Sequence, residues 1–192
     1  MDDFKDHLAT YLANSREAML WKARGLGDEE ATRPMVPTGT NILGLVQHLA
    51  FVEYGYFVQC LGFAIKDEYY AALAADPDDS ADMWVSTEVP GTEVLAFYRR
   101  AIDAANRNIA ALPLDAPATV PWWPGERRHT TLGRLMLHMN VETARHAGHA
   151  DILRELIDGS TGMRQDNDNM PPYDGTAWKE LHKKILRASE SR

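Results

Sequence analysis

The chain has 192 residues, 45% hydrophobic and 25% charged, with a formal net charge of -8. That is the size and composition of one globular domain with a sizeable core, and no apolar run reaches the roughly 18 residues of a membrane-spanning helix. The acidic balance, with no basic cluster beyond Lys183, Lys184 and Arg187, argues against nucleic acid as a partner, and the single cysteine, Cys60, excludes a disulfide framework or a cysteine-based zinc finger.

The first predicted helix covers residues 3–24, where Phe4, Leu8, Tyr11, Leu12, Ser15 and Met19 recur at spacings of three and four. Asp2 or Asp3 can cap its start, and Gly25 and Gly27 stop it. This N-terminal stretch is acidic and amphipathic, unlike a secretory signal or a transit peptide, so a cytoplasmic location is expected. GDEEATRPMVPTGT reads as a connection broken by Pro34 and Pro37. The second helix, over 41–63, has a broad apolar face of Ile42, Leu45, Val46, Leu49, Val52 and Phe57, with His48 on or beside it. A short helix is expected in DEYYAALAA, then an irregular acidic segment from Asp76 to Gly91. The third long helix, 92–112, ends at Pro113, and a second irregular connection carries Trp122 and Trp123.

The fourth long helix, TLGRLMLHMNVETARHAGHADILRELIDG, is the most informative stretch. Thr130 or Thr131 caps it and Gly159 suits its end. Its apolar positions, Leu132, Leu135, Met136, Met139, Ile152, Leu153 and Leu156, are expected to face the core. His138, Glu142, His146 and His149 form a polar seam beside them, within roughly an 80° arc at about 100° per residue. A surface loop and a short final helix over 176–188 complete the chain. No strand pattern is long enough to predict a sheet. The fold expected is all-α: a four-helix bundle with long irregular connections and a short C-terminal helix.

Burying imidazoles beside a carboxylate is costly unless something satisfies them, and a divalent cation does so. Glu142 and His146, at i and i+4, reach one ion from a single helix, and His48 on a facing helix supplies a third head. Two imidazoles and a carboxylate form a common catalytic zinc set with an open position. His138 and His149 compete on the same seam; exchanging Glu142 for His149 gives a three-histidine set. Core imidazoles and a salt-bridged Glu142 are the bland alternative.

The stretches TGTNILGLVQHLAFVEYGYF and HMNVETARHAGHADILRELIDG resemble the DinB-like superfamily of four-helix-bundle metalloproteins, related to mycothiol-dependent maleylpyruvate isomerase. The likeness runs from the first helix to Gly159. It implies a DinB-like bundle over residues 1–159; residues 160–192 are read from their own composition and spacing as a loop and short helix packed on the same domain. Carried over residue by residue, the family's metal ligands fall on His48, Glu142 and His146. His138 matches a histidine that is not usually a ligand. The isomerase group has an additional C-terminal domain, which this sequence stops too soon to hold, so maleylpyruvate isomerisation is not expected.

A divalent metal in such a site can activate water for hydrolysis or deprotonate a bound thiol. The resemblance favours the thiol: mycothiol or bacillithiol, transferred to an electrophilic small molecule in detoxification. Zinc is the expected metal; nickel, iron and manganese also suit these donors. His149 or Glu53 is expected to orient the ligands or move a proton. Arg145 and Arg154 read as surface ion-pair residues, and Cys60 as a buried hydrophobe. The alternatives are a metal-dependent hydrolase, or a non-enzymatic, stress-related homodimer whose site is structural or empty.

Overall fold

The computed structural model describes residues 3–191, the side chain of Asp3 excepted. The capping side chains expected at Asp2 and Asp3 therefore lie outside the described residues. In chain order the helices are α1 (Asp3–Ala23), α2 (Asp28–Thr32), α3 (Ile42–Phe57), α4 (Glu68–Ala75), α5 (Gly91–Ala111), α6 (Leu132–Asp158) and α7 (Gly175–Glu190). Four of them, α1, α3, α5 and α6, make the bundle: α1 packs along α6, α3 along α5, and α3 joins the pairs through contacts with α1 and α6.

Local chemistry sets the bounds of the helices that carry the site. The Asn41 side chain accepts from the Gly44 N–H to start α3, and Gly62 closes the following 3-10 turn at φ 83°. The Thr131 hydroxyl accepts from the Arg134 N–H to start α6, and Gly159 ends it at φ 79°. The second half of the helix predicted at 41–63 is shorter than expected. Regular structure stops at Phe57, and Gln59–Leu61 form a 3-10 turn. Two small elements lie in segments read as irregular: α2, and a two-stranded antiparallel ladder of β1 (Pro117–Thr119) and β2 (His129–Thr131). Three-residue strands are too short to show an alternating pattern.

The core of α6 is a stripe of Leu132, Leu135, Met136 and Met139 that continues through Thr143, Ala147 and Ala150 to Leu153. Ile152 and Leu156, expected inside, are 63% and 64% exposed. The reason is angular: the small residues Ala147 and Ala150 carry the buried stripe onward, and Ile152 lies about 160° away from it. On α1, Leu8, Leu12 and Met19 are buried while Phe4 and Tyr11 are exposed. Two cations of the same helix are buried instead. Arg16 is held by Glu53 of α3 and Asn106 of α5, and Lys22 by Asp151 and the Gly162 carbonyl. Leu49 and Leu135 are fully buried; truncating either to Ala is expected to cost about 2–5 kcal/mol.

Residues 160–174 return along the bundle. The Lys22 bond to Gly162 and the Arg164 bond to Asn14 tie this segment to α1, and the Arg24 bond to Gln165 ties it to the residue that follows α1. Asp174 caps α7, yet none of the α7 residues is buried. No helix is long and apolar enough to cross a membrane among the described residues.

Candidate metal centre

Where α3 and α6 cross, one ligating atom each of His48, Glu142 and His146 lies within 4.8 Å of the others. Glu142 sits between the two rings. Its Oε1 is 3.0 Å from His146 Nε2 and 3.4 Å from His48 Nε2. The rings of His48 and His146 stand edge-to-face with centroids 5.0 Å apart. All three side chains are half-buried, on the flank of the α6 core stripe where the seam was expected.

A fourth residue, absent from the sequence reading, fixes His48. Asp82, in the 3-10 turn Ala81–Met83, places Oδ2 2.7 Å from His48 Nδ1. A carboxylate accepts, so Nδ1 carries the hydrogen and Nε2 is turned towards Glu142. Metal-binding histidines are commonly oriented this way. The turn is seated by α3 itself. Gln47 Nε2 donates to the carbonyls of Ala81 at 2.9 Å and Trp84 at 2.6 Å, while Tyr69 donates its hydroxyl to Gln47 Oε1. Gly44 allows the close approach: a Cβ there would collide with the Met83 carbonyl oxygen. Asp82 is one of four aspartates in an irregular segment, with Asp76, Asp78 and Asp79. Nothing in their spacing selects it; the Gly44 and Gln47 contacts do.

The ionisation pattern is asymmetric. Burial disfavours charge on His48, but the hydrogen bonds to Asp82 and Glu142 outweigh it and hold its pKa above the ordinary histidine value. Burial and the nearby His48 charge push His146 below that value. Burial tends to raise Glu142, yet the His48 hydrogen bond and the His146 charge keep it below the usual glutamate range. His146 Nδ1 is buried with no hydrogen-bond partner among the described residues. Nitrogen and oxygen heads on a common centre, with His48 anchored from behind by Asp82, fit a divalent cation.

The other expected residues lie elsewhere. Glu53 is fully buried and gives both oxygens to Arg16 at 2.6 Å. Five positions after His48, it points about 140° away around α3, into the bundle. His149 is exposed, edge-on to His146 with centroids 5.4 Å apart, and is not one of the three converging heads. His138 belongs to a separate aromatic group. Its Nε2 is 3.1 Å from the Tyr56 hydroxyl, which also accepts from Trp122 Nε1–H at 3.1 Å. Burial lowers its pKa, so the neutral ring accepts the Tyr56 hydrogen. Arg154 straps α6 to α1 through the Lys22 and Arg24 carbonyls and pairs with Asp158. Burial pushes the Cys60 thiol up to about 11, where it is a poor nucleophile.

No curated protein sequence matches the chain. A family model described as mycothiol-S-transferase (MST) matches residues 7–159, which include every residue of the cluster and all four bundle helices except the first turn of α1. The match covers most of the chain and agrees with the likeness to DinB-like bundles read from the α3 and α6 motifs. The chain belongs to the mycothiol-S-transferase family.

Proposed function

We propose that this protein is a metal-dependent thiol S-transferase in which His48, Glu142 and His146 hold a divalent cation, zinc first among the candidates. The observation that supports this most directly is the convergence of the three heads within 4.8 Å, with His48 anchored on Asp82. A cation held there would bind a low-molecular-weight thiol and keep it as the thiolate at neutral pH. The chain's own residues supply the rest. Asp82 fixes the His48 tautomer, Glu142 brings the negative charge that offsets the cation, and the Gln47 clamp keeps Asp82 in place. Mycothiol, the thiol named by the family, is the proposed donor, with bacillithiol the other thiol of the same kind. The acceptor is an electrophilic small molecule, and the role proposed is detoxification in the cytoplasm. A homodimer is part of the proposal, supported by the exposed apolar strip of Phe4, Tyr11, Leu137 and Val141 along α1 and α6. Residues 160–192 are proposed to belong to the bundle domain, on the strength of the bonds that Gly162 and Arg164 make to α1.

The test is metal analysis of protein purified without chelator or nickel affinity resin, followed by assays of thiol-dependent consumption of electrophiles. Stoichiometric metal, lost in His48→Ala and His146→Ala together with thiol consumption, is the expected result. Sub-stoichiometric metal indifferent to both substitutions would remove the site. Ester or amide cleavage without thiol, and no thiol consumption, would make the protein a hydrolase. Bound metal with neither reaction would leave a non-enzymatic bundle.

A further inference from the structure

A cavity of about 380 Å³ opens one turn along α3 from His48, lined among others by Phe51, Gly55, Tyr56, Tyr70, Asp82 and Trp122. Its volume suits a small organic molecule. Phe51 and Gly55 follow His48 at i+3 and i+7, so the cavity continues the stripe of α3 that carries the metal-facing ring. Asp82 belongs to both places, bonding to His48 and lining the cavity. Across the cavity, Tyr56 reaches α6 through its hydroxyl bond to His138, one turn before Glu142.

The walls are aromatic pairs. Phe51 and Tyr70 stack with centroids 4.7 Å apart and planes 17° from parallel. Tyr56 and Trp122 meet edge-to-face at 5.3 Å. Between the pairs the floor is Gly55, where an added Cβ would already touch the Trp122 ring at 3.4 Å. Trp122 remains 51% exposed although it packs on the bundle. The wall hydroxyls and the indole N–H are already engaged, Trp122 Nε1–H with Tyr56 and the Tyr70 hydroxyl with Gln59. Among the described residues no lysine, arginine or histidine lines the cavity, and its one carboxylate is bonded to His48.

We infer that this cavity is the acceptor subsite and takes an uncharged, flat, aromatic electrophile. Aromatic faces on two sides and a glycine floor favour a planar ring. The absence of a lining cation, with the Asp82 carboxylate in the wall, disfavours carboxylates and phosphates. The role of acceptor rests on the thiol-transfer reading, whereas the ligand class does not. With an aryl chloride as acceptor, the C–S bond forms, the C–Cl bond breaks, chloride leaves and the thiol proton passes to solvent.

The test measures binding without turnover. Fluorine NMR line broadening of para-fluorobenzamide, a neutral and unreactive ring, is compared with that of para-fluorobenzoate on the full chain. The amide is expected to broaden and the carboxylate to stay sharp. Gly55→Leu, which fills the floor, and Trp122→Ala, which removes a half-exposed wall, are each expected to weaken amide binding about tenfold. Thermal melts establish that each variant is folded, and if Gly55→Leu is not, Trp122→Ala decides. Equal binding of the carboxylate, no broadening by either probe, or amide binding unchanged in the folded variants would overturn the inference. No thiol is present, so a protein that transfers no thiol still gives a readable answer. Where transfer is found, the rate ratio of chlorodinitrobenzene to iodoacetamide is expected to fall in the same variants.

Discussion

Removing the Asp82 carboxylate is the sharpest test of how the cluster is organised. The His48 Nδ1 to Asp82 Oδ2 distance is 2.7 Å, and the two side chains are only 16% and 19% exposed. This is a short, charge-assisted bond with most solvent excluded. It fixes which ring nitrogen faces Glu142 and makes that nitrogen a better donor. Loss of such a supporting partner typically lowers metal affinity about 10–100-fold, which corresponds to about 1.4–2.7 kcal/mol. Asp82→Ala is expected in that range. Asp82→Asn retains an oxygen acceptor without the charge and is expected between Asp82→Ala and the unmodified protein. Competition for zinc against a chromogenic chelator measures both, with His48→Ala as the reference for a lost ligand. If Asp82→Ala binds zinc within about twofold of the unmodified protein while His48→Ala does not bind, the anchoring argument is wrong.

Gly44→Ala tests the seat of the same turn. Its Cβ would collide with the Met83 carbonyl oxygen, so the turn must shift, with an expected cost of about 1–3 kcal/mol in thermal unfolding and weaker zinc binding in the chelator assay. Glu53→Ala would leave Arg16 buried without its carboxylate; urea unfolding is expected to show a loss of about 3–5 kcal/mol, with metal content unchanged in whatever fraction remains folded. Burial tends to raise the Asp67 pKa, but the Arg100 hydrogen bond and the Tyr70 N–H outweigh it and hold the group below its usual value. Its contribution is therefore complete above the unfolded-state value of about 3.9 and declines as pH falls through the depressed folded value. Arg100 is substantially exposed, so the effect is modest and weaker in salt; the stability gap between the unmodified protein and Asp67→Asn, followed by urea unfolding, should be flat above about pH 5 and close at more acid pH. Deleting residues 160–192 removes the Gly162 carbonyl from Lys22 and Asn14 loses Arg164; a lower melting temperature is expected, and an unchanged one would mean the segment is not part of the bundle domain.

The long helices were legible because their signals are local. A period of 3.6, Thr131 before α6 and Gly159 after it suffice to delimit α6. His48, Glu142 and His146 were legible for a related reason: two lie four apart on one helix, and the third is an imidazole in the middle of an apolar one. Asp82 was not, because its role depends on a glycine thirty-eight positions earlier and on Gln47, neither of which looks chemical in isolation. Glu53 misled for the opposite reason. It lies near His48 in sequence, but its partner is Arg16 on another helix, and helical rotation turns it away. Ile152 and Leu156 show the limit of pattern reading on α6, where alanines rather than the large residues carry the buried stripe.

The turn that holds Asp82 is shared property: one oxygen steadies the His48 ring while the same residue forms part of the neighbouring cavity wall. If His48 holds a cation as proposed, an occupant that displaces Asp82 would change how strongly that cation is held, and the cation would alter the occupant's affinity by the same factor. The proposed cation site and the neighbouring cavity would then be thermodynamically linked through a single aspartate.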